Sequence, residues 1–141
     1  MKIALEEAQK AFSMGEIPVG AVLVRAGNII ARGHNQREYQ QDPTAHAELV
    51  VIQRGAERLH SWRLIDTTLY VTLEPCLMCA GAMLQARIPR LVLGVLDSKT
   101  GACGSLYTVH KDSRLNHQID IVHGIKEAVS YTHLTLPTNR E

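Results

Sequence analysis

Thr67-Thr68-Leu69-Tyr70-Val71-Thr72-Leu73-Glu74-Pro75-Cys76-Leu77-Met78-Cys79 is the stretch on which the fold turns. Its first seven residues alternate and are rich in β-branched side chains, so they read as a strand. The strand runs straight into Glu74-Pro75-Cys76, and Pro75 suits the opening of a helix, where a missing N–H loses no partner. A helix is expected over 76–87, followed by an apolar strand over 91–96.

Working outward from this core, residues 2–14 place Ile3, Ala4, Ala8, Ala11 and Phe12 at helical intervals, with Glu6, Glu7, Gln9 and Lys10 on the other side. A nearly continuous apolar run over 19–24 reads as a strand buried on both faces, and Arg25-Ala26-Gly27-Asn28 reads as a hairpin turn into a second strand over 29–33. Residues 35–43 are polar and aperiodic and read as a loop. Thr44 is the expected N-cap of a helix over 45–59, whose first turn would carry His46 and Glu48; Gly55 weakens its second half. On the C-terminal side, 100–105 is a Gly-rich loop and 119–122 a short last strand. The order is αββαβαβ, a loop, and a final β. Strands joined by helices need a sheet covered on both faces, which predicts a three-layer α/β/α domain. There is no internal repeat.

A chain of 141 residues is of single-domain size. The formal net charge of +1 neither requires nor forbids a nucleic-acid partner. No apolar run approaches the roughly 20 residues that span a bilayer, and the N-terminus lacks the parts of a signal peptide, so a cytoplasmic protein is expected. Three cysteines are too few and of the wrong parity for a disulfide framework. Cys103 reads as a small buried thiol.

His46-Ala47-Glu48 and Pro75-Cys76-Leu77-Met78-Cys79 together carry chemistry. Two thiolates and one imidazole give zinc three protein ligands, and a four-coordinate ion then keeps one position open for water, as catalytic sites do. Cysteines at i and i+3 of a helix point the same way, and the helix dipole at its first turn favours the thiolates. Zinc acidifies water from a pKa of about 15.7 towards neutrality, and Glu48, not itself a ligand, is suited to carry the protons. The pattern His-x-Glu with Pro-Cys-x-x-Cys is already known as the mark of zinc nucleobase deaminases and is recognised here as such. An isolated Cys-x-x-Cys would equally suit a structural zinc knuckle or a redox pair; the preceding Pro and the His-x-Glu favour the catalytic reading. His34, His60, His110, His117, His123 and His133 lack ligand spacing and read as surface or packing residues.

These motifs, with Ile17-Pro18-Val19-Gly20-Ala21-Val22, Asp42-Pro43-Thr44-Ala45-His46-Ala47-Glu48, Arg63-Leu64-Ile65-Asp66 and Asp97-Ser98-Lys99-Thr100-Gly101, closely resemble the bacterial tRNA-specific adenosine deaminases, over residues 3–125. The resemblance implies a cytidine-deaminase-like fold with a central five-stranded mixed sheet. It further implies a homodimer, one zinc ion per subunit, and conversion of adenosine to inosine at the wobble position of a tRNA anticodon. Carried over by motif, His46, Cys76 and Cys79 are zinc ligands and Glu48 the proton shuttle. Asn35 would contact the flipped nucleoside, Val19 and Leu73 would form apolar pocket wall, and Asp97 would lie beside the anticodon-loop backbone. The partner expected is a tRNA anticodon stem-loop, with neither membrane nor DNA.

Residues 1–129 are expected to form the deaminase domain. Residues 130–141 are rich in Thr, contain Pro137 and show neither apolar periodicity nor a basic cluster, where the family has an amphipathic helix with aromatic and basic residues. This atypical tail is expected to be foreign to the family. Two alternatives stand beside the main reading: a free-base or nucleoside deaminase of the guanine or cytosine type, and a non-catalytic deaminase-fold RNA-binding subunit. Glu48 speaks against the second, since a subunit without activity needs no shuttle.

Overall fold

The computed structural model describes residues 1–123. The tail at 130–141 and the expected start of a helix after residue 123 lie outside the described residues. Helix α1 (Lys2–Ser13) leads to a hairpin of β1 (Gly20–Arg25) and β2 (Asn28–His34). Next come a short helix α2 (Arg37–Gln40), helix α3 (Ala47–Leu59), β3 (Thr67–Leu73), α4 (Leu77–Ala86), β4 (Arg90–Val95), a 3-10 turn at Val109–Lys111 and β5 (Asp120–His123). The sheet order is β2-β1-β3-β4-β5. β1 is antiparallel to both β2 and β3, whereas β3, β4 and β5 run parallel, so the sheet is mixed as the resemblance implied.

The β1–β2 turn is the expected one. Ala26 and Gly27 have φ of 51° and 79°, the left-handed pair that matches the twist of a two-residue hairpin. The helices lie on opposite faces of the sheet. A side chain at Gly20 would strike the backbone of α1 at Ala4 and Ala8, while one at Gly33, paired with the neighbouring Ala21, would strike Val50 of α3. Ala4, Ala8 and Ala11 are fully buried, and their small size allows α1 to lie that close. The main core fills the α3 and α4 side with Leu23, Val51, Leu64, Leu69, Val71, Met83, Leu91 and Leu93.

One buried acid ties α1 to the hairpin. Glu7, 2% exposed, accepts from Arg32 Nε at 2.5 Å and Lys10 Nζ at 2.9 Å, and pairs with His34 Nδ1 at 2.7 Å. Burial alone would raise its pKa, but the hydrogen bonds from His34, Lys10 and Arg32 outweigh it and hold the carboxyl at about 2.

The structure corrects three expectations. The loop over 35–43 contains α2, which its own sequence does not announce because its N–H groups are satisfied from outside: Asn35 Oδ1 accepts from Arg37 N, and the Glu16 carboxylate accepts from Glu38 N and Tyr39 N. Thr44 is not the N-cap of α3. Its N–H and hydroxyl both go to Asp42 Oδ1 at 2.8 and 2.7 Å, and His46, with ψ 151°, takes the cap position, so the helix begins at Ala47. Likewise Cys76, with ψ 178°, caps α4 from outside rather than opening it. Helix α3 runs unbroken through Gly55, which sits where a side chain would collide with Leu23. No helix among the described residues is long and apolar enough to cross a membrane.

The folded-state pKa of Glu7 lies below its ordinary value of 4.5, so between the two the unfolded chain binds the extra proton. Its contribution is present above about pH 4.5 and is lost as pH falls towards about 2. Glu7→Gln should cost about 2 kcal/mol at neutral pH and flatten the acid limb of stability, read as urea midpoints across that window. An unchanged acid limb in the variant would contradict the assignment.

Candidate active site

Two helices start at one place. His46 sits at the cap of α3, where its C=O already accepts the first helical bond from Val50 N at 3.0 Å. Cys76 sits at the cap of α4, and its C=O accepts from Ala80 N at 2.9 Å. Cys79, three residues on, is fully buried, and Glu48, in the first turn of α3, is 4% exposed. The parallel strand β3 delivers Cys76 through Glu74 and Pro75, whereas His46 follows the Asp42–Thr44 turn.

The result is a compact triangle. His46 Nδ1 lies 3.7 Å from Cys76 Sγ and 3.5 Å from Cys79 Sγ, and the three atoms all fall within 4.8 Å of one another. A tetrahedral zinc ion with Zn–S near 2.3 Å and Zn–N near 2.0–2.1 Å sets its nitrogen and sulfur ligands about 3.6 Å apart. The residues therefore fit zinc in both chemistry and spacing. Among the described residues this is the one such group of His, Cys, Asp or Glu side chains. Cys103 stands outside it, 4% exposed, its thiol pushed up to about 12 by burial and by the nearby Glu74 carboxylate.

The two clustered thiols are unequal. The hydrogen bond from Cys79, opposed by burial and aided by His46, draws Cys76 down to about 4, and the same bond together with burial pushes Cys79 upward. Without a metal the first proton to leave therefore comes more readily from Cys76, as its partly exposed place at a helix start favours.

A pocket opens over this triangle. Val19, Asn35 and Leu73 line it together with His46, Glu48 and Cys76, which brings three of the four expected substrate contacts to the metal site. Asp97 does not line it. That side chain closes its own turn, accepting from Lys99 N at 3.0 Å and from the Thr100 hydroxyl at 2.6 Å. Asn35 is 6% exposed, and its Oδ1 accepts from Arg37 N at 3.2 Å. Ile17, Arg37, Glu74 and Thr100 also line the pocket and were not singled out from the sequence. Ile17, Glu74 and Thr100 lay inside quoted motifs without being assigned a contact, and nothing local marked Arg37.

Comparison with known proteins agrees with this geometry. The family model of the MafB19-like deaminases matches residues 1–129. The chain is 53% identical over 126 residues to the tRNA-specific adenosine deaminase of Haemophilus influenzae, covering 89% of this chain and 73% of that protein. It is 50% identical over 127 residues to the enzyme of the same name from Bacillus subtilis, covering 90% and 79%. A solved structure from a study of A-to-I editing by tRNA:A34 deaminases at the wobble position of transfer RNA superposes with a TM-score of 0.92 at 44% identity, covering 95% of this chain and 97% of that one. A guanine deaminase from Nitrosomonas europaea shares the fold at a TM-score of 0.81, with 19% identity over 94% of this chain and 79% of that one.

Metal analysis of purified variants checks the triangle. Wild type and Cys103→Ser should each bind one zinc ion per chain, whereas Cys76→Ala and Cys79→Ala should weaken binding by more than about 100-fold. Loss of zinc from Cys103→Ser would contradict the ligand set.

Proposed function

The chain belongs to the deaminase family of the tRNA-specific adenosine deaminases, and on that premise we propose that it converts adenosine to inosine at the wobble position of a tRNA anticodon, releasing ammonia. The observation that carries the reading is a ligand triangle two of whose members, His46 and Cys76, line a pocket that the buried Glu48 also lines. Three protein ligands leave a tetrahedral zinc ion one position short, which supports a catalytic rather than a structural site.

His46, Cys76 and Cys79 would hold the zinc ion, which when bound would bring the pKa of a water at its open position towards neutrality. Glu48 does the proton work. Its carboxylate removes a proton from the attacking water and gives it to the ring nitrogen N1 as oxygen adds to C6. It then takes the remaining proton of the added hydroxyl and delivers it to the departing amine, so C6–N breaks and ammonia leaves. Water and adenosine give inosine and ammonia, with Glu48 returned to its starting state. Val19 and Leu73 offer the apolar wall for a base taken out of its stack, and Asn35 a polar contact for the nucleoside. Asp97 would act from the neighbouring turn, beside the anticodon-loop backbone.

Residues 1–129 make up the deaminase domain in this reading, which the span of the family match supports. The partner is a tRNA anticodon stem-loop, and the protein works as a homodimer in the cytoplasm. A groove along α4 in which Leu77, Leu84, Val109 and Leu115 stand among Gln85, Arg87, Asn116 and His117 supports the dimer as a surface of mixed character, and the need for free thiols at Cys76 and Cys79 supports a reducing compartment.

Inosine formation in an anticodon stem-loop bearing a wobble adenosine tests the reading. Glu48→Ala should keep its zinc and lose at least about 1,000-fold in turnover. Full activity in that variant sinks the mechanism, and equal efficiency on free adenosine sinks the substrate assignment. A mass of two chains is expected at micromolar concentration; a monomeric mass removes the dimer.

A further inference from the structure

Glu74 has no part in the chemistry above, yet all four acceptor sites of its carboxylate are filled. Oε1 accepts from Asp97 N at 2.9 Å and from the Ser105 hydroxyl, and Oε2 accepts from Cys103 N and Ser105 N, each at 2.9 Å. The residue is 2% exposed, and no ion pair to it occurs among the described residues. Such an arrangement offsets the cost of burial through donors of one loop, 97–105, which lies 23 to 31 residues further along the chain.

Gly101 is a second, independent sign. A methyl group on it would lie 2.3 Å from Glu74 Cδ and 2.4 Å from both carboxylate oxygens. Its backbone is outside the left-handed region, so the lack of a side chain answers to the carboxylate behind it and not to a turn. The loop thus held is stitched to the metal site. Ala102 N donates to Pro75 O at 2.9 Å, and Gly101 forms a bridge with Cys76. Thr100, bonded to Asp97, lines the pocket next to Cys76.

We propose that Glu74 is a positioning residue: it clamps loop 97–105 against Pro75 and Cys76 and thereby fixes the pocket wall carried by Thr100, without touching the reacting atoms. This rests on the deaminase reading for its kinetic consequence, but not for its structural one. Asp97, which also belongs to the loop, is held through its own N–H by the same carboxylate.

The zinc-loaded chain carries its own reporter. Of its three cysteines, zinc would occupy Cys76 and Cys79, leaving Cys103, buried within the clamped loop, to report its release. In wild type no thiol should react rapidly with an aromatic disulfide reagent. In Glu74→Gln, whose amide presents an NH2 group to at least one donor, one thiol per chain should react with zinc content unchanged. KM for the stem-loop should rise about tenfold, with kcat changed less than about threefold. Gly101→Ala should reproduce both effects by pushing the loop off the carboxylate, and Ser105→Ala should show them more weakly.

Wild-type KM and a protected Cys103 in both Glu74→Gln and Gly101→Ala overturn the proposal. If Glu74→Gln does not fold, or exposes all three thiols, Ser105→Ala decides: a Cys103 and KM like wild type overturn the clamp, and a partly reactive Cys103 with raised KM upholds it. A wild-type chain that makes no inosine would refute the deaminase reading, and the thiol count alone would then decide the clamp.

Discussion

A tetrahedral zinc ion would need its nitrogen and sulfur ligands about 3.6 Å apart, and the fold brings one nitrogen and two sulfurs to that spacing. The fold meets the demand by starting two helices at a single point. His46 at the cap of α3 and Cys76 at the cap of α4 approach to 3.7 Å, and one turn of helix carries Cys79 to 3.5 Å from the same nitrogen. Caps lie where backbone N–H groups are unpaired and the helix dipole is positive, which favours thiolates and the negative charge of Glu48 in the first turn of α3. The sheet fixes the geometry from below, because β3 at its centre ends three residues before Cys76.

Four buried glutamates show how one residue type acquires different tasks from its surroundings. Glu7 meets cations and fastens α1 to the β2 edge. Glu16 meets the exposed N–H groups of a four-residue helix and holds α2, with Arg37, at the pocket. Glu74 meets the donors of loop 97–105, whose Thr100 lines the pocket. Glu48 stands beside the ligand triangle, where a proton carrier is needed. Three of the four are structural and one is assigned to chemistry, and the pocket walls come from segments far apart in the chain.

The strands and the ligand motif were legible because their signals are local: alternation over 67–73, an apolar run over 19–24, and Pro-Cys-x-x-Cys after a strand. The start of α3 was misread because Thr44 is a good cap by type, yet Asp42, two residues earlier, captures both its N–H and its hydroxyl. Helix α2 was invisible because its capping groups come partly from Glu16, more than twenty residues away. Glu74 stood in plain view within the deciding stretch, but its partners lie far downstream, and Gly101 read as loop composition until the carboxylate behind it was seen. Local pattern singles out the three side chains that cluster; tertiary contacts surround them with residues that no local signal marks.

X-ray absorption at the zinc edge of the zinc-loaded protein is the most direct test of an open catalytic site. The expected shell holds two sulfurs near 2.3 Å and two lighter atoms near 2.0–2.1 Å, one of them the His46 nitrogen and the other from solvent. A shell of three sulfurs would bring Cys103 into the site, close it, and contradict catalysis at this metal.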